Sequence, residues 1–229
     1  MCNRMTQAQL DRIKEFARKA FEVALTNLVQ SAYNAAPTEL LPVVVERNGR
    51  YESEMMQWGV KPPGPTPLVT NARDDSLLNP EKRLFKDSAQ NRRCAILADG
   101  FYEWQTIGRT KIPHYFFLKD HEPFAFAGLY EPAVEPGGPQ RCMVVTTTPN
   151  AMLASCHDRM PVILAEPVHK TWLAPTPLTP ENLPVFCRPY PVELMAEHRT
   201  DSKMSNARYK AADAMEPWQR DPAEFDFSA

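Results

Sequence analysis

The sequence predicts a mixed α+β domain. One amphipathic helix opens the chain, a series of short apolar segments follows, and the two kinds of element do not alternate regularly, which disfavours a doubly wound parallel sheet. With 229 residues, 43% hydrophobic and 24% charged, the chain has material for one sizeable core, and no repeat or boundary divides it. A single domain over 1–229 is expected, its core ending near 207 and a polar tail over 208–229 more loosely ordered.

The opening helix is expected over 10–29, where Leu10, Ile13, Ala17, Ala20, Phe21, Ala24 and Leu28 share one face and Arg12, Lys14, Arg18 and Lys19 lie on a solvated one. Thr6 and Gln9 resemble a capping box ahead of it. Strands are expected at 41–46, 67–70, 94–104, 114–118, 124–130, 142–148 and 161–164, many apolar on both faces and bounded by Pro or Gly. Short helices are expected at 81–91, 150–156 and 167–173. The 23 prolines form no low-complexity tract and read as stiff turns and strand ends.

A formal net charge of −2 gives no global attraction to polyanions, so any anion site must be local. No apolar run reaches the ~18 residues of a membrane span and no signal-peptide stretch opens the chain, so no membrane association is expected. Cys2, Cys94, Cys142, Cys156 and Cys187 are odd in number and include no CxxC, which argues against a disulfide framework and for a reducing intracellular compartment. No His or Cys pair has metal-ligand spacing, and neither a metal nor another cofactor is expected.

Four places combine polar groups with apolar flanks. Asn71, in Thr70-Asn71-Ala72-Arg73-Asp74, reads either as a turn former at a strand end or as a hydrogen-bonding site residue. Glu103, in Asp99-Gly100-Phe101-Tyr102-Glu103-Trp104, is either solvent-facing or buried between two aromatics, where its pKa would rise toward acid/base use. His157, in Ser155-Cys156-His157-Asp158-Arg159-Met160-Pro161, is a structural residue or a proton shuttle. The fourth place is the terminus, Cys2 with Arg4. If Met1 is removed, Cys2 carries an amine and a thiol on adjacent carbons, a 1,2-aminothiol that condenses with an aldehyde to an imine and then a thiazolidine. The amine titrates near ~8 and the thiol near ~8.5, so both react close to neutral pH. Cys–His catalysis is also open, although Cys156 and His157 diverge as sequence neighbours and Cys2 can meet His157 only through the fold.

Taken in order, Met1-Cys2, Tyr33-Asn34-Ala35-Ala36-Pro37, Trp58-Gly59, Asn71-Ala72-Arg73, Asp99 to Trp104, Thr146-Thr147-Thr148-Pro149-Asn150 and His157 to Val162 resemble the SOS-response-associated peptidase (SRAP) family over roughly residues 1–165. The resemblance implies an α+β fold with barrel-like, largely antiparallel sheets flanked by short helices. It implies a monomer that cross-links to abasic sites in single-stranded DNA through the N-terminal cysteine, with β-elimination available from the imine. On that pattern Cys2 is the nucleophile, Glu103 and His157 transfer protons, and Asn71 holds the amine or polarises the sugar. Arg4, Arg73, Arg83 and Arg159 would grip phosphates, and Pro37, Trp58 and Trp104 would line the DNA cleft.

The chain departs from the pattern in places. Asn3 stands where the family has glycine; asparagine tolerates positive φ better than most residues, which would keep the turn with a tighter pocket. No second tryptophan follows Trp58, since the next segment is Val60-Lys61-Pro62-Pro63-Gly64, and no clear Val-Asn motif occurs in 202–208. Two other readings stand beside covalent capture. One is a Cys–His peptidase, for which no propeptide is expected; the other is a non-covalent single-stranded DNA-binding module.

Overall fold

The computed structural model describes residues 2–81 and 83–219. β1 (Met5–Gln7) leads into α1 (Leu10–Phe21), followed by β2 (Ala32–Ala35), β3 (Leu40–Arg47) and β4 (Arg50–Trp58). β5 (Asn71–Arg73), α2 (Asp74–Leu77) and α3 (Arg83–Asn91) precede β6 (Arg93–Ala98), β7 (Gly100–Ile107), β8 (Thr110–Leu118), β9 (Phe124–Glu131) and β10 (Arg141–Thr147). β11 (Met160–Pro161), α4 (His169–Leu173), α5 (Leu183–Phe186) and β12 (Met195–Arg199) complete the order.

Strands β4, β3, β6, β9 and β10 close on themselves as a barrel. Every pairing around the ring is antiparallel except at its seam, where Arg141 and Cys142 lie parallel to Gln57 and Trp58. β5 and β11 extend the barrel wall along β10. A second, wholly antiparallel sheet has the order β12-β8-β7-β1-β2. The fold is therefore α+β with barrel-like, largely antiparallel sheets.

Alternation explains why the barrel strands read as apolar on both faces. Val43, Val45, Ile96, Phe124, Phe126 and Val144 join one core with Phe101 and Phe116 of the second sheet. The intervening Val44, Ala95, Leu97, Ala125, Ala127 and Val145 pack beneath Ile13, Ala17 and Phe21 of α1 and Trp172 of α4.

Helix α1 stops at Phe21 instead of running to 29. Glu22 takes a left-handed conformation (φ 61°), and its N–H and that of Val23 cap the carbonyls of Arg18 and Ala17. Beyond it Ala24 is exposed and Leu28 is buried from non-helical chain, so the helix-like spacing of these two with Ala17 and Phe21 misleads. The capping box is absent as well. Thr6 lies in β1 and gives its hydroxyl to Asp99, whose carboxylate accepts the N–H groups of Ala8 (2.8 Å) and Gln9 (2.7 Å) at the helix entrance.

The expected strand at 94–104 is two strands in different sheets, divided at Asp99. The next residue must be glycine, because a Cβ on Gly100 would lie 2.1 Å from the Tyr115 hydroxyl. Pairing at 67–70 reduces to one bridge from Val69 to Val60, the ladder instead beginning at Asn71. The 150–156 helix is a 3-10 turn at Leu153–Ser155, and the 161–164 strand is β11 plus a bridge at Ile163.

Arg93 fastens the periphery to the barrel. Its buried guanidinium donates to the carbonyls of Trp172 (2.6 Å), Ala89 (2.7 Å), Gln90 (3.0 Å), Thr176 (2.8 Å) and Ala174. The start of the expected loose tail is also held. Thr200 bridges Pro217, and the Arg199 guanidinium lies 3.9 Å from the Trp218 ring centre. Residues 220–229 lie outside the described residues. No described helix is long and apolar enough to cross a membrane.

Candidate active site

Strand β1 carries the terminus into the middle of the second sheet. Met5 pairs with Phe101 and Thr6 with Gly100, and the Tyr102 N–H donates to the Arg4 carbonyl at 3.0 Å. Residues 2–4 lead into this ladder, and the Cys2 thiol lies near enough to Glu103 to feel its charge. Cys2 is fully buried, with its Sγ 3.8 Å from the Arg4 carbonyl. Burial, and after it the charge of Glu103, pushes the thiol far above its ordinary range, so it rests as the neutral thiol.

Asn71 opens β5, which lies parallel to β10 at Val144. Its Nδ2 donates to the Cys2 carbonyl (3.1 Å), the Thr70 hydroxyl (2.9 Å) and Asn3 Oδ1 (3.3 Å). With three acceptors around the nitrogen, the amide orientation is set. Its Oδ1 is buried and has no hydrogen-bond partner among the described residues.

Glu103 is 3% exposed, and burial raises its carboxyl above the usual range, with Asp158 acting in the same direction. The expected cause needs correcting. Side chains alternate along β7, so Tyr102 and Trp104 face away from Glu103 into a separate cluster with Tyr115 and Met204. Glu103 shares its face instead with Phe101, which packs in the core that also holds Cys2. Trp104 accordingly does not line the Glu103 side of the sheet; its indole N–H donates to the Ser205 hydroxyl at 2.8 Å.

His157 follows the 3-10 turn after β10 and is partly exposed. Two groups meet its Nδ1: the Arg159 N–H at 3.1 Å and the Asp158 carboxylate at 2.6 Å. Burial lowers its pKa despite Asp158, which is itself 76% exposed and therefore screened. His157 is neutral at physiological pH and able to accept a proton. The Asp158 charge reaches Glu103, and that of Glu103 reaches both Cys2 and Cys156, so Cys2, Glu103 and the 156–158 segment form one electrostatic neighbourhood.

The expected DNA contacts divide. Arg73 is 47% exposed and paired with Asp75 at 2.6 Å, a contact that a phosphate can replace. Arg4 is half-buried, donating to the Asn3 carbonyl at 2.8 Å. Pro37 is half-buried in the turn between β2 and β3, beside Thr38 at a strained φ of 79°. Arg159 is only 5% exposed and spans Asp74 (2.7 Å) and the Thr146 carbonyl, so here it braces the site instead of presenting a free cation. Trp58 is completely buried and cannot offer a stacking face; its indole N–H holds the Thr70 carbonyl at 3.1 Å. The Arg83 side chain lies outside the described residues.

Sequence reasoning missed Thr70 and the side chain of Asn3. Asn3 is not at positive φ, so the backbone makes no demand for glycine there, and its Oδ1 accepts the Thr70 hydroxyl at 2.7 Å. The only available signal was two polar residues without an assigned task. A cavity of about 690 Å³ lies elsewhere, between α1 and the β8–β9 turn, lined by Arg12, Phe16, Glu122 and His169.

Comparison with known proteins agrees with this architecture. The chain is 22% identical to a solved protein from Bacteroides thetaiotaomicron, with a TM-score of 0.71 over 88% of this chain and 93% of that one. A Bordetella bronchiseptica structure gives 21% and 0.71, over 87% of this chain and 100% of the other; both show the shared fold. Among curated relatives, the abasic site processing protein YoaM of Bacillus subtilis is 33% identical over 195 residues, 82% of this chain and 85% of its own. The abasic site processing protein HMCES of Xenopus tropicalis is 27% identical over 81% of this chain and 66% of its own. The model of the SOS response associated peptidase (SRAP) family matches residues 1–207, and the chain belongs to that family.

Proposed function

We propose that this protein captures abasic sites in single-stranded DNA by condensing Cys2 with the ring-opened sugar. Relatives bear the name abasic site processing protein, and the observation that carries the reading here is the packing of a buried Cys2 against Asn71 and Glu103. With Met1 removed, the α-amine attacks the C1′ aldehyde, and loss of water gives the imine. The thiol then adds to the imine carbon, its proton passing to nitrogen, so aminothiol plus aldehyde become thiazolidine plus water. Glu103, whose carboxyl burial raises above its usual range, donates to the departing hydroxyl and accepts the thiol proton. His157 takes a proton at the opened sugar, while Arg4 and Arg73 neutralise flanking phosphates. The imine also acidifies C2′, which opens a β-elimination route before the ring closes.

A thiolate peptidase fits less well, because burial and Glu103 both disfavour the Cys2 thiolate that such an enzyme requires. The test is to incubate the mature protein with single-stranded DNA bearing one abasic site and look for a heat-resistant adduct by denaturing electrophoresis and intact mass. We expect an adduct lighter than the summed reactants by one water. An adduct that survives Cys2→Ala would overturn the assignment. Salt-sensitive binding with no adduct would favour a non-covalent single-strand binder.

A further inference from the structure

We propose that Asn3 and Thr70 form a positioning clasp for the reactive terminus, fixing where Cys2 points before a substrate arrives; this rests on the covalent reading above. Chain termini ordinarily fray, and two nucleophiles on a frayed residue would seldom be aligned on one carbonyl carbon. Here the terminus is held by side chains that have no other evident task. The Thr70 hydroxyl donates to Asn3 Oδ1 at 2.7 Å and accepts from Asn71 Nδ2 at 2.9 Å. The same Nδ2 reaches Asn3 Oδ1 at 3.3 Å and the Cys2 carbonyl at 3.1 Å, closing a ring from residue 3 back to residue 2.

The base of the clasp is rigid. The Thr70 carbonyl accepts the indole N–H of the fully buried Trp58 at 3.1 Å and the Val144 N–H at 3.0 Å, which ties it to the barrel wall. Because Asn3 is not at positive φ, its identity is not a matter of backbone conformation. What the position uses is an acceptor oxygen that a glycine or alanine would lack. The ring has a second effect, since it gathers acceptors around the Asn71 nitrogen and leaves its buried Oδ1 without a hydrogen-bond partner among the described residues. That oxygen is then oriented to accept from the amine or from the carbinolamine formed on it.

The clasp is tested with Asn3→Ala, Thr70→Val and Thr70→Ser. Three quantities are read: the single-turnover adduct rate at saturating protein, the affinity for DNA carrying a tetrahydrofuran abasic analogue that has no aldehyde, and the rate of Cys2 alkylation by iodoacetamide from peptide mass mapping. Misaligned reactants lose on the order of 10–100-fold in rate, so Asn3→Ala and Thr70→Val should each slow adduct formation about 10-fold or more. Affinity should stay within about twofold. Thr70→Ser should restore the rate, and the double variant should be no slower than the worse single one, as members of one network are non-additive. Cys2 alkylation should accelerate as the terminus loosens.

An unchanged adduct rate in Asn3→Ala would overturn the clasp, as would a parallel loss of affinity, which would make Asn3 a DNA contact. If the wild-type protein forms no adduct at all, the covalent reading fails. The alkylation arm then decides the clasp by itself, and an unaltered Cys2 rate in Asn3→Ala refutes it.

Discussion

Replacing Glu103 with Gln should move two reactions of the same residue, Cys2, in opposite directions. Gln preserves volume and polarity but carries no proton to transfer. At 3% exposure, Glu103 leaves bulk water little access to take over as shuttle. Loss of a positioned acid/base group removes ~10²–10⁴ in rate. The burial argues for the middle of that range, so the adduct rate should fall ~10³-fold, or ~4 kcal/mol of barrier. Thiol reactivity should go the other way. After burial, the charge of Glu103 is the next influence that raises the Cys2 thiol. Without that charge more thiolate forms at a given pH, and iodoacetamide should alkylate Cys2 faster at pH ~8.5, where an unperturbed thiol is half ionised.

Stability supplies a third reading. The folded-state pKa of Glu103 is raised, so its contribution is fully present below the unfolded value near ~4.3 and is lost as pH climbs through the folded value. Gln does not titrate. The stability gap in favour of Glu103→Gln should therefore widen from acid toward alkaline pH, measured by urea melts at several pH values. An adduct rate within about threefold of wild type would refute the shuttle. Unchanged alkylation would refute the electrostatic link between the two side chains.

Other outcomes follow from the packing. Arg93→Met leaves five carbonyls without their cationic donor and should destabilise by ~3–5 kcal/mol, lowering Tm by roughly 10 °C in thermal melts. Gly100→Ala should unfold the protein or destabilise it by ~3 kcal/mol or more, and Tyr115→Phe should not rescue it, because the ring Cζ also lies 2.3 Å from the added Cβ. Arg73→Gln should weaken DNA binding regardless of base sequence and reduce the log–log salt slope by about 1, measured by anisotropy titration.

The candidate site residues stood out in the sequence because each lies in a short segment whose composition is odd for its setting: a carboxylate in an apolar strand, His-Asp-Arg before a strand, cysteine at position 2. Their surroundings were less so. The aromatics beside Glu103 in sequence point away from it, since a strand's period of two sends neighbours to opposite faces. Arg159 and Trp58 carry the right side chains for DNA contact, yet burial turns one into a brace and the other into a peg.

In the fold, the expected helix face overran because Ala24 and Leu28 keep helical spacing with Ala17 and Phe21 after the chain has left the helix. Strand β4 hid behind its charges, although Asn48-Gly49, both at positive φ, is a hairpin turn readable from sequence. The change of sheet at Asp99 depends on pairing partners far away in sequence, which no local pattern encodes.

The burial of Cys2 has a consequence for how long the protein stays competent. A cysteine on a loose terminus would meet peroxide and other thiols directly, and oxidation tracks thiolate character and exposure. Fully enclosed and held neutral, the Cys2 thiol is poor prey for both. On the proposed covalent reading, a molecule that reacts once has no later turnover in which to make good a spoiled nucleophile. The same enclosure that makes the thiol sluggish toward general electrophiles thus gives it shelf life, which the proposed capture of a lesion would require.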